Sequence, residues 1–150
     1  FAGALAKRID PLFAPQWLQQ APANPLAVEK CDYARLAALP PVLLFAPLDA
    51  GPEIIGRSDH AVVAASYHRN QRPMREVIAA FTGSPAEARG IVAGSGADYL
   101  LWCASEGDIA LYRADDPANL ANALAGERVP EWLEPVAGFD TGSLRLFRLR

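Results

Sequence analysis

The sequence predicts an α/β domain: a three-layer αβα sandwich of Rossmann-like or flavodoxin-like type, with a mostly parallel mixed sheet and a C-terminal antiparallel hairpin. Three observations carry this. Short apolar runs at Val42–Ala46, Ala61–Ala65 and Tyr99–Cys103 have the length and continuity of strands covered on both faces. Amphipathic helical patterns separate the second and third runs, as parallel pairing requires. Finally, alternating segments on either side of Asp140-Thr141-Gly142 read as two antiparallel strands.

The chain has 150 residues, enough to bury a substantial core, and 51% of them are apolar against 21% charged. We expect an irregular lead-in over 1–30, packed on a single α/β domain over 31–150. Pro11, Pro15, Pro22 and Pro25 limit the lead-in to short helical pieces at 2–8 and 15–20, anchored by Phe13, Trp17 and Leu18. Asp32 can cap a short helix through Ala38 with Tyr33, Leu36 and Ala37 inward, and Pro40-Pro41 stops it.

After the first strand, Gly51-Pro52 opens a helical turn carrying Ile54 and Ile55, since proline is preorganised for the first helical position. Met74, Val77, Ile78 and Phe81 follow a helical period, and Gly83 ends that helix. Ser84-Pro85-Ala86-Glu87 is a capping box that opens a helix burying Ala88, Ile91 and Val92, closed by Gly94 or Gly96. Ile109–Tyr112 reads as a short strand or edge segment. Asp116-Pro117 starts a helix with Leu120 and Leu124 inward and Gly126 at its end. Glu134–Gly138 and Ser143–Leu149 form the expected hairpin.

Several chemistries are excluded. A net charge of −3 and a pI near 5.3 argue against a nucleic-acid surface. Arg145, Arg148 and Arg150 on the last strand read as a solvated face. His60 and His68 bracket the second strand, and eight residues of strand would hold them roughly 26 Å apart, too far to share one metal ion. Cys31 and Cys103 form no CxxC pair, so no structural metal site is expected. They are either two unrelated core residues or, in an oxidising compartment, a disulfide that closes a long loop. Gly90–Gly96 closes a helix instead of opening one, and no phosphate-loop lysine follows, so no nucleotide cofactor is expected. No G-x-S-x-G nucleophile motif is present either.

Two loops remain. Leu48–Glu53 and Ser66–Gln71 would both emerge at the carboxyl ends of parallel strands, where open α/β sheets place ligands. Asp49, Glu53, Tyr67, His68, Arg69 and Asn70 are therefore the candidate polar cluster. His68 with Asp49 or Glu53 would permit acid–base work, and Arg69 could hold an anion. The structural alternative is that Asp49 and Asn70 cap helices while Arg69 pairs with a carboxylate.

The blocks LPPVLLFAPLDAGPEIIGRSDHAVVAASYHRN, ARGIV…GADYLLWC and LAGERVPEWLEPV resemble the C-terminal region of polytopic bacterial membrane proteins similar to GT-C type, lipid-linked-sugar glycosyltransferases. The resemblance spans roughly residues 31 to 149. It implies a noncatalytic domain on the periplasmic face of the inner membrane, beside the transmembrane portion of its own parent chain, with a sugar or lipid-linked donor as candidate ligand. It also favours pairing of Cys31 with Cys103. The family's metal-binding acidic motif is absent, so no catalytic residue carries over. Phe1 is not a methionine and the one methionine is Met74, which fits a processed or excised segment. A free-standing acid–base enzyme using His68 and a protein-interaction module are the competing expectations.

Overall fold

The computed structural model describes residues 28–66, 69, 71–126 and 128–150. The lead-in helices expected at 2–8 and 15–20 lie outside these residues, as do Tyr67, His68 and Asn70 of the candidate cluster.

Five strands form one mixed sheet: β1 (Leu43–Phe45), β2 (Ala61–Val62), β3 (Tyr99–Cys103), β4 (Leu133–Pro135) and β5 (Leu144–Leu149). Their order is β2-β1-β3-β5-β4. β1 pairs parallel with β2 and β3, while β5 runs antiparallel to both β3 and β4. Every strand except β5 therefore points the same way, and the C-terminal pair continues the sheet through β5, leaving β4 as the edge.

Strict alternation along the strands gives each sheet face its own core. Phe45, Leu100, Trp102 and Phe147 face four helices: α2 (Gln71–Thr82), α3 (Pro85–Gly94), α4 (Gly107–Asp115) and α5 (Leu120–Ala125). Phe81 of α2 sits at the centre of that layer. Its ring is tilted against Phe45 and Trp102, at 5.9 and 6.4 Å between centroids, and stacked on Tyr112 at 5.4 Å. Leu44, Ala46, Leu101, Cys103 and Leu146 face the other way, against Ile54 of α1 (Gly51–Arg57), the 3-10 helix Tyr33–Ala38 and Phe139.

The capping box is formed as the sequence requires: the Ser84 hydroxyl accepts from Glu87 N, and the Glu87 carboxylate accepts from Ser84 N. Other expectations are corrected. The Asp32-capped helix is a 3-10 helix, whose three-residue period buries Tyr33 and Leu36 but exposes Ala37. In α2 the buried positions are Val77, Ala80 and Phe81, and Ile78 is 40% exposed. The second strand stops at Val62, because β1 offers only Leu43 and Leu44 as ladder partners; Ala64 and Ala65 continue as buried loop. Ile109–Tyr112 is helical, since α4 puts Asp108, Ile109 and Tyr112 on its inner face and leaves Leu111 outside. α5 starts at Leu120, with Asn119 as its N-cap, and not at Asp116-Pro117. The Asp116 carboxylate accepts from Ala118 N in a preceding turn, and Asn119 caps the helix at Asn122 N. The same Asn119 donates to Tyr112 O, which accounts for its nearly complete burial. The C-terminal strands pair as expected, but β4 ends at Pro135 and a wide loop with positive φ at Gly138 and Gly142 joins them.

Candidate functional site

β1 and β3 are adjacent and parallel, yet the helices that follow them leave on opposite faces of the sheet: α1 packs with Leu44 and α4 with Phe45. This is the topological switch point of an open α/β sheet, the place where such folds usually put ligands. Two segments meet there. Pro47 and the 3-10 turn Leu48–Ala50 follow β1, and Ala104-Ser105-Glu106-Gly107-Asp108 follows β3.

The segments are tied together by polar contacts. Asp49 N donates to the Asp108 carboxylate at 3.3 Å. The Tyr33 hydroxyl donates to Glu106 Oε1 at 2.6 Å, which bonds the 3-10 helix to the start of α4. The Asp49 carboxylate lies close over Gly107, within 3.4 Å of where a side-chain carbon would stand. Asp49 and Glu53 are exposed, and Glu53 makes a loose i,i+4 pair with Arg57 at 3.9 Å, of little energetic weight at that exposure.

Burial dominates the electrostatics. It raises the pKa of Glu106, against the opposing hydrogen bond from Tyr33, and the neighbouring Asp108, Glu53 and Asp49 charges add to it. Asp108 is raised for the same first reason, with Asp49 adding to it. The Tyr33 and Tyr112 hydroxyls are pushed far above the ordinary phenol value, by burial first and then by their carboxylate neighbours. Asp108 Oδ1 and the Tyr112 hydroxyl are both buried without a hydrogen bond of good geometry, although they are near enough to influence each other's protonation. Four carboxyl groups, those of Asp49, Glu53, Glu106 and Asp108, thus act on one another at these strand ends, and burial raises the pKa of the last two. They suit hydrogen-bond recognition of a polar or cationic group. Among the described residues, no cluster of His, Cys, Asp and Glu could hold a metal ion.

Of the expected cluster, Asp49 and Glu53 lie at this switch point and Arg69 is an exposed loop residue; Tyr67, His68 and Asn70 are not among the described residues. Asp49 does not cap α1: it lies inside the 3-10 turn, and Ala50 occupies the cap position without a side-chain bond. His60 sits at the other end of the sheet, before β2. Its Nδ1 accepts from Val42 N at 3.2 Å, and its Nε2 faces Leu36 O at 2.7 Å, so the ring serves as a buried bridge between backbone segments. Glu106, Asp108 and Tyr33 escaped the sequence reading. Glu106 and Asp108 had a usable signal, a polar run directly after the third strand, the same rule that selected the first two loops.

The structure joins Cys31 to Cys103 by a disulfide, with 6.1 Å between Cα atoms and a sequence separation of 72. Ser105 supports it: its hydroxyl accepts from Cys31 N at 3.2 Å and lies 3.2 Å from Cys103 Sγ. The bridge therefore ties the chain before the first helix to the end of β3.

No family model matches the chain, and no curated protein matches it by sequence. Among solved structures it is similar to the C-terminal globular domain of an oligosaccharyltransferase from Archaeoglobus fulgidus. The TM-score is 0.54 at 15% identity, covering 73% of this chain and 85% of that one. At that identity the likeness is one of fold.

Proposed function

We propose that this chain is a noncatalytic extracytoplasmic domain of a larger, glycosyltransferase-like membrane protein, held on the periplasmic face of a bacterial inner membrane against the transmembrane portion of its own parent chain. The observation that carries the reading is the fold it shares with the C-terminal globular domain of an oligosaccharyltransferase. The Cys31–Cys103 disulfide supports an oxidising compartment, because such bridges do not persist in a reducing cytosol. The chemistry at the switch point points away from catalysis by the domain itself. Glu106 is engaged by Tyr33 and Asp108 by the Asp49 backbone. A sugar or a lipid-linked donor held by the parent protein is the ligand class that this domain would help to position.

The test is made on the full-length gene product in its native host. It should fractionate with the inner membrane, and a membrane-impermeant thiol reagent should label Cys31 in whole spheroplasts only after reduction. Recovery in the cytosolic fraction with two free thiols would refute the proposal.

A further inference from the structure

We propose that the groove between α4, α5 and the loop preceding β5 binds a phosphoryl oxyanion, either free phosphate or pyrophosphate or the phosphate of a lipid headgroup. Two adjoining cavities of about 360 and 510 Å³ share Arg113 and Gly126 as walls. The first also holds Arg145, Asp140 and Thr141, and the second holds Arg128. Three arginines thus line two adjoining cavities of a chain whose net charge is −3. Among the described residues, none of the three has a carboxylate within 4.0 Å.

The geometry favours an oxyanion. Arg113 Nε donates to Asn122 Oδ1 at 3.0 Å, and Asn122 Nδ2 returns a bond to Arg113 O at 2.8 Å. The guanidinium is therefore fixed at its inner nitrogen while its outer amino groups stay available for a fork onto an oxyanion. Arg145 is not on the solvated face that the sequence suggests. It points to the helical side of the sheet, lies 5.5 Å from the Phe147 ring and donates to Leu124 O. That one bond answers a helix-end carbonyl and leaves the other donors of a half-buried cation, whose charge burial disfavours. An incoming oxyanion would supply the missing countercharge. Among the described residues that line the two cavities, Asp140 is the one carboxylate, against three arginines.

The inference does not depend on the chain belonging to a membrane enzyme, and its test uses the 150-residue chain alone. Sodium pyrophosphate is titrated at constant ionic strength and followed by backbone amide NMR. Saturable shifts are expected at Gly126, Thr141 and Gly142, and R113Q/R128Q, both surface changes, should weaken binding at least about tenfold while the remaining spectrum is preserved. Cosedimentation with phosphatidylcholine vesicles containing phosphatidic acid separates the sources. Vesicle binding lost in R113Q/R128Q indicates a headgroup site, and pyrophosphate binding without it indicates a soluble ligand. Absence of both, or shifts that sodium chloride reproduces or that R113Q/R128Q leaves intact, would overturn the proposal.

Discussion

Replacing both bridge cysteines, C31A/C103A, should cost this domain a large share of its stability. The bridge closes a loop spanning 72 positions. On the chain-entropy account, a loop of that length lowers the entropy of the unfolded chain by an amount worth about 4 kcal/mol at 25 °C. For a domain of this size that corresponds to a drop in Tm of roughly 10–15 °C. Cys103 is fully buried, so its removal adds a small packing loss to the same direction. Thermal unfolding by circular dichroism, with the oxidised protein, the reduced protein and C31A/C103A side by side, measures the effect. S105A is the control for local bonding. It keeps the bridge but removes the hydroxyl that accepts from Cys31 N, and should cost only about 1 kcal/mol. If C31A/C103A melts within about 2 °C of the oxidised protein, or no lower than S105A, loop closure is not what the bridge contributes.

Three further outcomes are expected. G51A should destabilise by about 1–3 kcal/mol in urea unfolding, because a methyl there would stand 2.4 Å from the Ala65 side chain. S84A should cost about 1 kcal/mol through loss of the α3 capping box, and S84D should recover most of it. Asp108 has a folded pKa raised by burial, so its ionisation opposes folding: below the unfolded carboxylate pKa of about 4 both states are protonated and no penalty exists, and the penalty grows as pH rises through that value toward the folded pKa. D108N should therefore gain stability relative to the wild type at pH 7, and the gain should shrink at pH 3. A gain that is constant with pH, by urea midpoints at the two values, would contradict this assignment.

The disagreements between sequence and structure share a cause. α2 was legible as a helix from its periodicity, but the choice of Ala80 over Ile78 as an inner position depends on the angle at which it meets the sheet, beside Ala88 and Phe81. Four apolar residues at Ile109–Tyr112 fit one turn of helix as well as a short strand, and the neighbours Phe81 and Asn119 decide between them. The candidate site was half legible. The rule of polar loops after strands selected Asp49 and Glu53, but the decisive partners Tyr33 and Glu106 stand 73 positions apart and meet only once the sheet is assembled.

The sequence by itself determined the α/β class, the capping box at Ser84, the Asp32 cap, the helix-ending glycines and the strand cores, because each depends on contacts within a few residues or on a local hydrophobic period. Tertiary structure alone decided that β5 enters between β3 and β4, that Gly51 is required by Ala65, that Cys31 meets Cys103, and that Arg145 turns inward to a groove with Arg113 and Arg128. Those facts depend on pairs far apart in sequence, and no local pattern encodes which distant segment a strand edge or a helix face will meet.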